Sequence, residues 1–208
     1  MHKAILFDLG KVLIHFDFRI GYDGLEKACS IRAAEIPKRL APTGLVERFE
    51  CGQVEPRPFF DEFRRILGIE LEYERFCEIW SSIFTRVLLP EAMLEGLARR
   101  YRLVLLSNTN ALHFSMIRQW YPHLLRHFHA LVLSYEVGAL KPDERIFHAA
   151  VSAAQCAPGE CFYTDDIPAY VAAARVKGID AVVFESPEQI QEAMRARGIE
   201  WERDAIRS

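Results

Sequence analysis

The side chains of this sequence that are best suited to react with a charged substrate are three aspartates, a lysine, a serine and an asparagine. They are Asp8, Ser107, Asn108, Lys141, Asp165 and Asp166. Carboxylates are typical ligands of Mg²⁺, which proteins often bind together with water and a substrate phosphate. Ammonium, hydroxyl and backbone amide groups bind the oxygens of an anion. The set therefore predicts a site for Mg²⁺ and a phosphate group.

Asp8 is the predicted nucleophile of this site. A carboxylate beside a metal ion and a phosphorus atom can attack in line and form an aspartyl-phosphate, which water later hydrolyses. Lys141 would offset negative charge on both the nucleophile and the phosphoryl group. Ser107 and the backbone amide of Asn108 would hold the equatorial oxygens.

Each of these residues also has a purely structural explanation. Asp8 could be a turn residue after a strand, residues 107–110 could cap a helix, and Lys141 could be a solvated lysine before a proline. Asp165 and Asp166 could form an acidic pair favoured by a helix dipole. The functional interpretation is favoured because the four groups follow successive apolar segments and together form a chemically coherent set.

The elements that must position these residues are short strands and amphipathic helices. Five apolar segments have the length of buried strands, at residues 4–7, 103–106, 130–133, 161–163 and 181–184. Apolar stripes with helical spacing lie between them, one from Met93 to Tyr101 and another from Ile146 to Ala154. This alternation predicts an α/β fold with a doubly wound parallel sheet, in which ligands bind beyond the carboxyl ends of the strands.

Residues 16–86 interrupt the alternation, because they contain no segment with the pattern of a strand. Two helical stripes follow each other there. The first contains Phe59, Phe60, Phe63, Ile66 and Leu67, and the second contains Tyr73, Phe76, Cys77, Trp80, Ile83 and Phe84. Pro58 and Gly68 are suitable start and stop signals for the first helix. We interpret the aromatic stripes as the core of an inserted helical module.

Four segments resemble the ordered motifs of the haloacid dehalogenase superfamily, over essentially the full length of the chain. They are FDLGKVL at 7–13, LSNTN at 106–110, KPD at 141–143 followed by IF at 146–147, and FYTDD at 162–166. The resemblance implies a Rossmann-like core of residues 1–15 and 87–208, with an α-helical cap of residues 16–86. The second and fourth motifs are most similar to the branch of sugar-phosphate phosphatases related to α-glucose-1-phosphate phosphatase and the N-terminal domain of epoxide hydrolases.

The same resemblance implies Mg²⁺ as cofactor and assigns the site residues. Asp8 is implied as nucleophile and metal ligand, the Gly10 carbonyl as a second ligand, and Asp166 as a third. Asp165 is implied to support the metal indirectly, either through a bridging water or by contacting the residues that coordinate the metal. The residues that map onto the phosphate-binding groups of the family are Ser107, Asn108 and Lys141.

Gly10 departs from the family pattern, because most phosphatases of the family have an aspartate there that protonates the leaving group and activates water. Such general acid–base catalysis contributes about 10²–10⁴ in rate. His15, Asp17 or a cap residue could supply the proton. Without a donor, substrates with good leaving groups, such as a sugar 1-phosphate or an acyl phosphate, are expected to react best. Tyr170, where relatives often have asparagine, is a second departure with no assigned role.

The cap is expected to select the substrate by closing over the crevice and excluding water. A charged segment around Gly52 contains Glu47, Arg48, Glu50 and Arg57 and could reach the site. We interpret it as a solvated charged loop. Four histidines within residues 113–129 lack a zinc-binding spacing, and we expect them to be exposed or hydrogen-bonded.

Two other functions fit parts of the pattern. In a 2-haloacid dehalogenase the same carboxylate attacks carbon and the halide leaves without a proton, which is compatible with Gly10 but gives the aspartate pair no purpose. A non-catalytic protein that binds a phosphorylated metabolite would explain Gly10 as lost catalysis. Retention of Asp8, Lys141 and Asp166 together argues against that second alternative.

Composition restricts the partners and the compartment. The chain of 208 residues has 26 Lys and Arg against 29 Asp and Glu, with no long run of either sign, so we expect neither a nucleic acid nor a membrane partner. No apolar run approaches the ~20 residues that span a bilayer. The five cysteines form no CxxC pair, and residues 1–7 are too short for a signal peptide, so we expect a reduced, cytoplasmic protein. The predicted partner is a small phosphate ester.

Overall fold

A five-stranded parallel sheet forms the centre of the protein, whose computed structural model describes residues 1–201. The strands of the chain are β1 (Ala4–Phe7), β2 (Ile14–Phe16), β3 (Phe84–Val87), β4 (Arg102–Ser107), β5 (Ala130–Leu133), β6 (Cys161–Asp165) and β7 (Asp180–Val183). The sheet has the order β5-β4-β1-β6-β7, which places β1 between β4 and β6. The five apolar segments found in the sequence are the five strands of this sheet, so that prediction is confirmed.

Twelve α-helices connect and cover the strands within the described residues. They are α1 (Phe18–Ala28), α2 (Ile36–Leu40), α3 (Leu45–Glu50), α4 (Pro56–Leu67), α5 (Tyr73–Ser81), α6 (Glu91–Ala98), α7 (Ala111–Trp120), α8 (Pro122–Leu125), α9 (Ser134–Val137), α10 (Glu144–Ala154), α11 (Pro168–Val176) and α12 (Pro187–Arg195). Each helix in residues 1–201 is too short or too polar to cross a lipid bilayer.

Apolar side chains cover both faces of the sheet. One layer includes Leu94 of α6, Phe114 of α7 and Met194 of α12. The opposite layer includes Phe147 of α10 and Val171 of α11. Helices on both sides of a parallel sheet define the doubly wound α/β fold that the sequence predicts, and this fold class is confirmed.

Helices α1 to α5 lie between β2 and β3 and enclose an apolar core of their own. Phe59, Phe63, Phe76 and Trp80 are buried in this core, which confirms the interpretation of the aromatic stripes. The division into a core of 1–15 and 87–208 and a cap of 16–86 stays a prediction, and its residues 202–208 lie outside the described part of the chain.

Two details of the inserted segment differ from the sequence prediction. Residues 84–87 form β3, which pairs antiparallel with β2, so the expectation of no strand in residues 16–86 is wrong. The second predicted helix ends at Ser81, and Phe84 lies in the strand that follows. The reason is that β2 and β3 are far apart in sequence, and their pairing leaves no local periodic signal. The first helix agrees with the prediction, because it spans Pro56–Leu67 with Pro58 near its start and Gly68 just after its end.

Gly52 allows the turn after α3 to pack closely against α9. Its φ of 67° lies in the left-handed region, where glycine is favoured. A Cβ atom built at Gly52 would overlap the backbone carbonyl oxygen of Tyr135. The turn therefore fixes the end of α3, and with it Glu50, against the part of the chain that carries the sheet.

We expect Gly52→Ala to destabilise the protein more than the matched substitution Gly44→Ala. Gly44 has a similar φ of 62°, so both variants carry the strain of about 1–3 kcal/mol that a left-handed residue costs. Only Gly52 adds the overlap with Tyr135, because nothing lies within 4 Å of a Cβ built at Gly44. Overpacking of this kind costs a further ~1–3 kcal/mol. Urea denaturation measures both free energies of unfolding, and equal losses would contradict the close approach.

Candidate active site

The strand order brings the three predicted aspartates together at one edge of the sheet. Phe7, the last residue of β1, is in register with Leu105 of β4 and Thr164 of β6. Asp8 therefore follows its strand beside Asp165. The carboxylates of Asp8, Asp165 and Asp166 each offer an oxygen within 4.8 Å of the others.

Lys141 is buried among these carboxylates with an exposed fraction of only 3%. Its ammonium donates a hydrogen bond of 2.7 Å to Asp8 Oδ1 and one of 2.6 Å to Asp165 Oδ2. A third bond of 3.2 Å goes to the carbonyl of Leu106. All three donors of the ammonium are thus engaged, and Lys141 is fixed next to the predicted nucleophile.

The two aspartates of the fourth motif have different surroundings. Asp165 is fully buried, and its Oδ2 accepts hydrogen bonds from Lys141 and from the hydroxyl of Tyr163. Its Oδ1 accepts a bond of 2.8 Å from the backbone amide of Ile167. Asp166 is only half-buried. Asp165 is therefore engaged in orienting Lys141, while the carboxylate of Asp166 lies closer to solvent.

Burial controls the protonation of the acidic cluster. It raises the pKa of Asp8 to about 7, an effect that Lys141 opposes and Asp165 reinforces. Burial also raises the pKa of Asp166. With three carboxylates and one ammonium, the cluster carries excess negative charge when ionised. A divalent cation among these oxygens would offset that charge, so the donor set fits Mg²⁺.

Ser107 is the last residue of β4 and Asn108 follows it, on the other side of Asp8 from β6. The hydroxyl of Ser107 is on a buried residue at the strand end. The side chain of Asn108 is engaged with Lys141, since its Oδ1 accepts a 2.8 Å bond from the Lys141 amide and its Nδ2 donates a 3.2 Å bond to the Lys141 carbonyl. The side chain of Asn108 is thus occupied, and the expectation that its backbone amide binds phosphate stays a prediction.

Tyr170 is a site residue to which the sequence analysis assigned no role. Its hydroxyl accepts a 3.4 Å hydrogen bond from Asn108, and its ring centroid lies 5.2 Å from the ammonium of Lys141. An ammonium near an aromatic face is stabilised by the ring quadrupole. Tyr170 thus contacts two of the predicted site residues. Tyr170 follows Asp166, the last residue of the fourth motif, by about one helical turn, and this spacing could have indicated that it lies at the site.

His113 is buried beside the site, and both of its ring nitrogens are hydrogen-bonded. One lies 3.0 Å from the carbonyl of Trp80 and the other 3.1 Å from the side-chain nitrogen of Asn110. Burial lowers the pKa of His113 to about 4. The expectation of a hydrogen-bonded histidine is confirmed for this residue, which links α5 to the start of α7.

The position of the family's second aspartate is closed by an aromatic ring. A Cβ atom built at Gly10 would lie 2.5 Å from Cε1 of Phe16, in β2. His15 points elsewhere, with its Nδ1 2.8 Å from the hydroxyl of Thr85. Asp17 caps α1, and its hydrogen bonds with Arg19 lower the pKa of its carboxyl to about 2. Neither of the two named candidates for a proton donor faces Asp8.

A cavity lies next to Gly10, between the strand ends and the helices of the inserted segment. Its lining residues are Leu9, Gly10, Phe16, Phe18, Glu50, Ile83, Phe84, Ser107, Asn108, Thr109 and His113. Among these lining residues, Glu50 is the one whose side chain has a carboxyl group. Burial raises the pKa of Glu50 to about 7, and Glu47 adds to the shift. The interpretation of this segment as a solvated loop is therefore wrong for Glu50.

Comparison with known proteins gives relatives that cover most of the chain. D-ribitol-5-phosphate phosphatase from Bacteroides thetaiotaomicron is 28% identical over 174 residues, which is 80% of this chain and 84% of that protein. The HAD family enzyme BT-2542 from the same organism, solved in complex with magnesium and inorganic phosphate, has a TM-score of 0.80 and 27% identity, covering 89% of this chain and 96% of that chain.

A predicted HAD-like family hydrolase from Porphyromonas gingivalis has a TM-score of 0.83 and 29% identity, covering 96% of this chain and 99% of that chain. The family model for haloacid dehalogenase-like hydrolases matches residues 2–178, which include all of the motifs at the strand ends. This chain belongs to the haloacid dehalogenase-like hydrolase family.

Proposed function

We propose that this protein is a Mg²⁺-dependent phosphatase that hydrolyses a small phosphorylated metabolite through an aspartyl-phosphate intermediate on Asp8. The observation that carries the proposal is the buried 2.7 Å contact between the Asp8 carboxylate and the Lys141 ammonium, beside two further carboxylates. A carboxylate in this position is oriented, shielded from water and paired with the cation that a transferred phosphoryl group requires.

Two of the relatives support the reaction and the cofactor. One is named a D-ribitol-5-phosphate phosphatase, and the other was solved with magnesium and inorganic phosphate. The acidic cluster of this chain offers oxygen donors of the kind that Mg²⁺ prefers. From these observations we infer a small phosphate ester as substrate, with sugar and polyol phosphates as the first class to test.

Asp8, Asp166 and the backbone carbonyl of Gly10 would hold the magnesium ion. When bound, the ion supplies positive charge that offsets the carboxylates and the phosphate oxygens. Asp165 would act through Lys141, because its own oxygens already accept hydrogen bonds from Lys141, Tyr163 and Ile167. The two adjacent aspartates would thus serve different purposes.

The chain's own residues carry the two chemical steps. An oxygen of Asp8 attacks phosphorus while the bond from phosphorus to the leaving oxygen breaks. Lys141 stabilises the negative charge, and the hydroxyl of Ser107 and the amide of Asn108 donate hydrogen bonds to the phosphoryl oxygens. Water then attacks the aspartyl-phosphate, the bond between phosphorus and Asp8 breaks, and inorganic phosphate leaves.

The replacement Asp8→Asn is expected to lower phosphate release by about 10³-fold or more, because the amide cannot act as the nucleophile. Wild-type turnover should require Mg²⁺ and stop on addition of EDTA. Phosphate release from D-ribitol 5-phosphate, sugar 1-phosphates and 4-nitrophenyl phosphate measures both effects. Asp61→Asn, at an exposed position of α4, is the matched control and should keep wild-type activity.

Other results of the same assay favour the alternatives. Release of halide from a 2-haloacid without added metal would indicate a dehalogenase. Saturable binding of phosphate esters by the wild type without turnover would indicate a binding protein.

The two adjacent aspartates are expected to respond differently to substitution. Asp166→Asn removes a metal ligand and should raise the Mg²⁺ concentration for half-maximal activity by roughly tenfold or more. Asp165→Asn removes a charge that orients Lys141 and should lower kcat with a smaller change in the Mg²⁺ requirement. Titration of activity with Mg²⁺ measures both quantities. A larger Mg²⁺ shift for Asp165→Asn than for Asp166→Asn would reverse the assignment.

A further inference from the structure

Cleavage of an alkyl phosphate needs a proton for the leaving oxygen, and the usual position for its donor is closed in this protein. A side chain at position 10 would meet the ring of Phe16, whose Cε1 lies 2.5 Å from a Cβ built on Gly10. The ring forms part of the cavity wall next to the phosphate-binding residues Ser107 and Asn108. Gly10 itself has no side chain that could donate, so the donor comes from another side of this cavity.

Three nearby titratable groups are engaged elsewhere. The ring nitrogens of His113 both have partners, and its low pKa leaves it without a proton to give. Asp17 forms an ion pair of 2.6 Å with Arg19 outside the cavity. His15 and Asp17 line a separate surface groove together with Lys11.

Glu50 is the carboxyl group that lines the cavity. It is the last residue of α3, and the Gly52 turn fixes this end of the helix against Tyr135. Much of the surrounding wall is apolar and includes Phe16, Phe18 and Phe84. Glu50 therefore lines the same cavity as Ser107 and Asn108, the residues proposed to hold the phosphate.

We propose that Glu50 is the general acid of this phosphatase and takes the place of the aspartate that is absent at position 10. This inference rests on the proposed function. As Asp8 attacks phosphorus, the electron pair of the breaking bond passes to the leaving oxygen, which receives the proton of Glu50 and departs as an alcohol. The resulting carboxylate takes a proton from the water that attacks the aspartyl-phosphate, which restores the acid form of Glu50.

The charges around Glu50 are compatible with this role. The neighbouring charged side chains have partners of their own. Arg48 pairs with Glu62 of α4, and Arg145 pairs with Asp143. Glu136 accepts a hydrogen bond from the hydroxyl of Tyr135 in α9. The titratable groups near Glu50 are Glu47 on its own helix, the adjacent Cys51, His113 on α7 and Tyr170 on α11. None of these four offers a positive charge that would keep the Glu50 carboxyl ionised.

Burial raises the pKa of Glu50 to about 7, which suits a group that gives and then recovers a proton near neutral pH. Because this pKa is raised, the acid form predominates below pH 7 and is lost as the pH rises above it. The kcat/KM for an ester with a poor leaving group should therefore fall above about pH 7. A variant without this carboxyl should lack that decline.

Glu50→Gln keeps the shape of the side chain and removes the proton donor. For D-ribitol 5-phosphate, whose alkoxide leaves poorly, we expect kcat/KM to fall by about 10²–10⁴-fold and its decline above pH 7 to disappear. For 4-nitrophenyl phosphate, whose phenolate leaves without a proton, we expect little change in kcat/KM, because this constant does not depend on the later hydrolysis of the aspartyl-phosphate that both esters share. The measurement is phosphate release from both esters over a range of pH. Asp61→Asn, at the exposed position of α4 used as a control above, should behave as wild type with both esters.

The results with the two esters distinguish failure of the Glu50 proposal from failure of the proposed function. Equal losses with both would mean that Glu50 shapes or binds the substrate and is not the acid. No loss with either ester would also overturn the inference, while leaving the phosphatase assignment intact. If the wild type releases phosphate from neither ester, the proposed function fails and the inference fails with it.

Discussion

The structure depends above all on one buried cation held between two buried anions. Lys141 lies between Asp8 and Asp165, and removing these charges from water carries a large desolvation penalty. The penalty is offset because every donor of the ammonium has a hydrogen-bond partner. In addition, Asn108 binds the backbone of Lys141, and the ring of Tyr170 lies beside its ammonium. A protein that needed only stability would fill this space with apolar side chains. The ionic cluster is best explained by the reaction, since it gives Asp8 a fixed position and a cation for an incoming phosphoryl group.

Much of this arrangement follows from the sequence. Strands are local apolar segments, and in a parallel sheet their carboxyl ends lie at one edge, so Asp8, Ser107 and Asp165 could be placed together before any coordinates were known. The same pattern also held a signal that the sequence analysis did not use. Tyr163 and Asp165 are two residues apart in β6 and share one face of the strand, which predicts their contact and a different environment for Asp166.

The features that the sequence did not predict all involve contacts between distant segments. The hairpin of β2 and β3 joins residues 14–16 to residues 84–87, and neither strand is long enough to show a periodic pattern. The position of Glu50 depends on the approach of Gly52 to Tyr135, which brings together residues from the insert and from the sheet region. Local composition indicated a charged loop, because a sequence pattern cannot show which charged residues become buried when two parts of a chain meet.

The ring of Phe16 over Gly10 also restricts how this site could change through successive mutations. A side chain introduced at position 10 would meet the ring, so the ring would have to move aside or Phe16 would have to be replaced by a smaller residue. Replacement of Phe16 by a smaller residue would enlarge the cavity beside Gly10. The effect of a substitution at position 10 should therefore depend on which residue occupies position 16. In our proposal the proton donor lies on the helical insert, and a donor next to Asp8 would involve positions 10 and 16 together.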